Sequence, residues 1–421
     1  GSDGRPGPRF PDWFLSGSGE GGLDLPELHG RGEAVVAEAA RLAAASRPFV
    51  WRGAGLCPAL EAWGPAEFGL ALSRGQELDA NISPRADRRF VYFSPSRLEK
   101  GIYDPAAVER DFRHMRINTQ LTYEEVRRRQ SVQAHGDAVR QRGTSQEGGG
   151  GLEEEEERRS GWPRPQPAGE GGEAAYVLHV LLEGLSKEEE RKMGRLPPQM
   201  RPPAGRLSGL PGDPMALWRP DLTPLAGPLV QGTEWGRLGG IARAGAWGAI
   251  ERVAFMVSGR DALTPLHYDR HHNIFVQVRG AKRFLLFDAD QTPRLYCFPT
   301  LHALDPLSRV DLEADTPDGA LAARWPRAAD ARGAAVTLEA GDALVFPHGV
   351  WHHVQSLGPE NVSVSFLFAL GEGEGCGGEG AQVRVGRLPR GRQSAALSEL
   401  AKTAEGFVAG FAAGPAHAAE V

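Results

Sequence analysis

Residues 264–287 read "TPLHYDRHHNIFVQVRGAKRFLLF", and the reading of this stretch decides the fold. It opens with His267, Asp269, Arg270, His271 and His272 crowded together, then turns at once into apolar, alternating sequence. "IFVQVRG" and "RFLLFD" are short runs of β-branched and aromatic residues broken by glycine, which is strand-and-turn chemistry. The same texture recurs on both sides, at "RVAFMVSG" (252–259), "AAVTLEAG" (334–341), "DALVFPHG" (342–349), "HHVQSL" (352–357) and "VSVSFLFAL" (362–370). Many short strands separated by Gly, Pro and Asp predict a mainly β sandwich or barrel from about Ile250 onward.

The polar cluster at the mouth of a buried strand asks for a reason. In an extended chain, side chains alternate faces, so His267 and Asp269 share one face and Tyr268 takes the other. An imidazole and a carboxylate so placed suit two neighbouring positions around a metal ion. A third ligand is offered 85 residues later by "GDALVFPHGVWHHVQSL", where a strand ends at a Pro/Gly turn and re-enters through "WHHV". His352 or His353 would complete a two-histidine, one-carboxylate set of the kind that suits non-haem Fe(II). The spacing alone is weak. Twelve histidines and 54 acidic residues in 421 give about 1.5 chance matches to H-x-[DE]. A second match, His135-Gly136-Asp137, sits where no scaffold is expected. What marks His267-Tyr268-Asp269 is its setting at a strand start, with a distal histidine after a turn.

Composition is that of a folded chain, with 41% hydrophobic and 24% charged residues. A net charge of −6 gives no footing for a nucleic-acid surface. Cys57, Cys297 and Cys376 are too few and too far apart for a disulfide framework or a CxxC metal site. No apolar run approaches the roughly 18 residues that span a bilayer, and "GSDGRPGPRF" has no signal-peptide character. A cytoplasmic or nuclear protein with no membrane contact is expected.

Along the chain, residues 1–27 read as a flexible tail and 28–130 as an N-terminal α/β flank. The flank holds a helix at 33–46, a strand at "RPFVWRGA", a helix at "PAEFGLALSRG", a strand at "RRFVYFSPS", and helical signals over 106–130. Residues 131–172, with a Gly run and the acidic run Glu153–Glu157, read as a disordered insertion. Residues 173–371 form the predicted core, opening with a strand or helix at "AAYVLHVLLEG". A linker at 372–392 precedes a helix at 393–413 whose Leu397, Leu400, Ala404, Phe407 and Phe411 share one face.

The stretch at 264–287, taken with "GDALVFPHGVWHHVQSL", resembles the JmjC-type Fe(II)/2-oxoglutarate oxygenases. Within them it is most similar to the asparaginyl hydroxylase that inhibits hypoxia-inducible factor and its small hydroxylase relatives. The resemblance runs more weakly from Arg47 to Leu370, broken by the acidic insertion. It implies a double-stranded β-helix, a jelly roll of the cupin kind, with Fe(II), 2-oxoglutarate and O2 as cofactors and co-substrates and succinate and CO2 as products. It makes His267, Asp269 and His352 the metal ligands, with His353 facing away. It assigns Lys282 to the far carboxylate of 2-oxoglutarate, Thr264 and Tyr176 to the same carboxylate, and Asn273 and Ser365 to the pocket lining. Chemistry supports Lys282 on its own account, since a lysine aimed into a barrel is costly without an anion. The family's substrate-reading loop matches "LDPLSRVDL", but with Pro306 and Leu307 where polar contacts would stand. A protein side chain is the expected substrate, and dimerisation through the C-terminal helix the expected assembly. The rival readings are a demethylase, an oxygenase of modified RNA or of a small molecule, and a non-catalytic metal-binding cupin.

Overall fold

The computed structural model describes residues 23–64, 77–83, 89–91, 117–129, 174–184, 218–220, 232–298, 302–312 and 323–371. The expected helix at "PAEFGLALSRG", the insertion, the linker and the C-terminal helix with its dimer interface lie outside them.

The N-terminal part supplies β1 (Glu27–His29), helix α1 (Glu33–Ala44), β2 (Phe49–Arg52), β3 (Glu77–Ser83) and β4 (Ile117–Thr122). Next come β5 (Ala174–Gly184), β6 (Trp218–Pro220) and helix α2 (Trp235–Ala244). Eight strands follow: β7 (Ile250–Ser258), β8 (Leu263–Tyr268), β9 (His272–Arg279), β10 (Lys282–Phe287), β11 (Gly333–Leu338), β12 (Ala343–Phe346), β13 (Trp351–Ser356) and β14 (Asn361–Phe368).

These eight form two facing sheets. One contains β12-β9-β14-β7, and the other is β11-β10-β13-β8. The chain crosses between them at almost every connection, and every pairing within each four-strand set is antiparallel. That is the expected double-stranded β-helix, closed by two sheets wound together. The larger sheet extends past β7 through β5, β3 and β4, and past β12 through β2 and β1.

Alternation sorts the side chains into three layers. On β9, Ile274, Val276 and Val278 pack outward beneath α1 and α2, joined there by Val362, Val364 and Phe366 of β14. Phe275 points the other way, into the barrel, with Phe284, Leu286, Leu344, Phe346, Met256 and Tyr176. Leu285, Phe287 and Trp351 form a third layer on the outside of the smaller sheet. Gly280 makes the β9–β10 turn, with φ +71°, and a Cβ there would meet Glu360 O at 2.3 Å, so the turn requires glycine.

Two expectations need correction. The tail ends earlier than residue 27, because Leu23 and Leu25 pack against the barrel interior and β1 begins at Glu27. Within the described part of 106–130, residues 117–122 form a strand rather than a helix, and 123–129 are helical. "INTQLT" is polar and lies at the rim of the large sheet, where pairing with β3 overrides its weak strand signal.

Candidate metal centre

His267 and His352 are built onto adjacent strands and stand directly opposite each other in the β8–β13 ladder. Their ring centroids are 4.1 Å apart. Asp269 lies just beyond β8, in the three-residue connection to β9. One ligand atom from each of the three falls within 4.8 Å of the others, and His352 Nε2 is 3.7 Å from Asp269 Oδ2. His353 stays out of this group. It pairs with Leu285 in the β10–β13 ladder, on the outer face, whereas His352 pairs with the inward Leu286.

The donors are prepared for a cation. His267 Nδ1 lies 2.8 Å from Pro265 O, and His352 Nδ1 lies 3.0 Å from Val350 O. Each carbonyl takes an Nδ1–H, which fixes the tautomer and leaves the Nε2 lone pair for a metal. Burial, and then the neighbouring His352, push His267 down to about 4, so its imidazole is neutral at physiological pH. Burial alone would raise Asp269. The imidazoles of His352, His267 and His271, with a hydrogen bond from Asn273, overcome that and hold it below the usual carboxylate range. Two imidazoles and one carboxylate fit a divalent metal, and leave coordination positions for other ligands.

The co-substrate residues of the sequence reading gather deeper in the barrel. Lys282, only 1% exposed, enters from the start of β10. Among the described residues its ammonium has one hydrogen-bond acceptor, Ser363 Oγ at 3.0 Å. The rings of Phe275 and Tyr176 lie 5.3 and 5.6 Å from Nζ. Burial pushes this ammonium down to about 7, a measure of what it lacks. Ser365 Oγ donates to Asn273 Oδ1 at 2.6 Å, and Asn273 in turn bonds Asp269, so the pair orients that candidate ligand.

Thr264 poses a problem of parity, because it stands three positions before His267 and strict alternation would put them on opposite faces. The ladder resolves it. His352 pairs with His267 but Val354 pairs with Thr264, so Pro265 and Leu266 together oppose the single residue His353. This β-bulge adds one residue to β8 and returns Thr264 to the face of His267. Pro265, with no N–H to give to a ladder, suits the position.

Sequence reading missed Ser363. The alternation in "VSVSF" points both Ser363 and Ser365 inward, and that was the available signal. In the loop that matched a substrate-reading segment, Pro306 O accepts from Tyr268 N at 3.4 Å and Leu307 is 1% exposed. Leu307 also bridges His267 across the outer side of β8.

Residues 36–370 match the family model described as a cupin-like domain. The chain belongs to the cupin-like family. Some of the relatives that match carry JMJ or Jumonji C names. HSPB1-associated protein 1 of Homo sapiens is 32% identical over 146 residues, covering 34% of this chain and 28% of that protein. Lysine-specific demethylase JMJ31 of Arabidopsis thaliana is 32% identical over 110 residues, 26% of this chain and 19% of the relative. Jumonji C domain-containing protein 5 of Drosophila melanogaster is 32% identical over 119 residues, 28% of each. The aligned part of the cupin-like chain therefore spans less than a third of each of these relatives.

Proposed function

We propose that the protein is an Fe(II)- and 2-oxoglutarate-dependent dioxygenase that hydroxylates a protein side chain, with succinate and CO2 as co-products. One juxtaposition carries the reading: a His-Asp-His cluster within 4.8 Å stands at the mouth of a barrel whose interior holds a buried lysine. A barrel that served only to fold would not keep a buried ammonium with one neutral acceptor, since the desolvation cost is several kcal/mol. A dicarboxylate held by Lys282 would supply the missing counter-charge. This argues against a non-catalytic cupin.

Bound Fe(II), with 2-oxoglutarate and O2, supplies the oxidising power to break a C–H bond. The chain's own residues do the rest. His267, Asp269 and His352 present three donors from one side. Lys282 binds the far carboxylate and Ser363 steadies its ammonium, while Thr264 and Tyr176 offer hydroxyls toward the same end. Phe275, Phe284 and Phe346 keep water from the space between. A second reading, removal of a methyl group, has the support of a relative named lysine-specific demethylase. Hydroxylation of an N-methyl carbon would end in release of formaldehyde, whereas a hydroxylated side chain keeps a mass gain of one oxygen.

The test is succinate formation from 2-oxoglutarate with Fe(II) and ascorbate, with candidate peptides scored by mass and for formaldehyde. We expect turnover in the wild type and its loss, with metal binding, in His267→Ala. Normal turnover in that variant would refute the ligand set.

A further inference from the structure

Of the three candidate ligands, Asp269 is the least constrained by the sheets. His267 and His352 sit in a ladder with their Nδ1 atoms tied to backbone. Asp269 lies outside the ladder, in the connection over 269–271, with its side chain 33% exposed. A carboxylate in a short turn ligates reproducibly only if the turn is held.

The next residue supplies a hold. Arg270 Nη2 donates to Asp305 Oδ2 at 2.8 Å. The Asp305 side chain is fully buried, while that of Arg270 is 40% exposed. Asp305 belongs to the segment 302–312, which runs along the outer side of β8. There Ser308 N donates to Leu266 O at 2.8 Å, and Tyr268 N donates to Pro306 O. That segment is anchored again at its far end, where Arg89 Nη1 meets Asp311 Oδ2 at 2.5 Å in a pair exposed only 8% and 13%. The turn is also held from the opposite side, where Gly349 N donates to Asp269 O at 3.0 Å. Asp269 is thus strung between the turn before β13 and a loop pinned to the body of the protein.

We propose that Arg270 and Asp305 are positioning residues for the metal centre: their ion pair ties the turn bearing Asp269 to the 302–312 loop and so sets the carboxylate in its ligating position. This rests on the metal-centre reading above. The loop is also the one matched to the family's substrate-reading segment, so pressure on it is transmitted to Asp269 through the pair.

Removing one partner alone confuses two effects, because Arg270→Ala takes a charged donor away from a buried carboxylate and so also destabilises the fold. The informative variant is Arg270→Ala/Asp305→Asn, which removes the tether and the buried charge together. Full-length protein is titrated with Co(II), reading affinity from the visible bands, and melted in parallel. We expect Co(II) affinity to fall about tenfold in each single variant and no further in the double. The melting temperature should drop in Arg270→Ala and recover toward wild type in the double. Wild-type Co(II) affinity in the double would overturn the tether, as would affinity losses that simply add. Failure of the wild type itself to bind Co(II) would instead remove the metal centre, and the tether with it.

Discussion

At the scale of single residues, the unusual feature is an ammonium inside a barrel to which the described residues offer one acceptor, a hydroxyl. Lys282, pushed down to about 7, is half neutral near physiological pH, and a bound carboxylate raises it again. Binding therefore takes up protons. Affinity for a 2-oxo diacid is full below pH 7 and declines as pH rises through that free-state value, until the raised bound value is passed. Calorimetry across pH 6–9 in the presence of Mn(II) checks the sign. Lys282→Met should weaken 2-oxoglutarate about 10- to 100-fold, the worth of a charge-assisted contact, while leaving a 2-oxo monoacid nearly unaffected. Equal losses for both acids would contradict the assignment. His267 and Asp269 were legible as a short local pattern, while His352 was separated from His353, and Lys282 singled out, only through the resemblance to the JmjC oxygenases. The Arg270–Asp305 pair was not, since nothing in either segment announces that residues 35 apart will meet.

At the scale of elements, the strands from β7 to β14 were readable because apolar alternation and glycine breaks agree along the whole stretch. Register was not. The bulge at Pro265–Leu266 decides which face Thr264 occupies, yet the sequence shows only a proline in a strand, which marks irregularity without its sense. The β9–β10 turn is a case where the chemistry was local. Gly280 sits at φ +71° against Glu360 O, with Ala281 N bonded to Asn361 Oδ1 at 2.9 Å. Gly280→Ala should destabilise the protein by more than about 1 kcal/mol, since left-handed backbone and a close approach both resist a side chain. Denaturant unfolding measures it. Because this turn immediately precedes Lys282, the variant should also weaken diacid binding more than metal binding.

At the scale of the whole molecule, the two sheets, the helices over the larger one and the N-terminal strands make one body around a polar seam. That seam is polar at a cost, so ligands that satisfy it should stabilise the fold. Mn(II) with 2-oxoglutarate at 100 times the dissociation constant should add about 2.7 kcal/mol, seen as a raised melting temperature. The metal alone should give less, and chelation should reverse it. No shift with either would speak against a shared site. The count and spacing of strands pointed to a sandwich or barrel, and the resemblance to the JmjC oxygenases supplied the double-stranded β-helix. The strands β3, β4 and β5 did not, because they join the large sheet across long intervening sequence.

The outer side of β8 has one more consequence. Phe90 N takes Leu263 O, and the 306–308 segment takes Leu266 O and Tyr268 N, so the backbone of the His267 strand has its lateral partners already. An incoming peptide has no row of free amides and carbonyls to zip onto there, which closes the strand-addition route to recognition. A polypeptide target of the proposed hydroxylase would instead have to cross over the barrel mouth and present its reactive carbon end-on, read by side chains rather than by main chain.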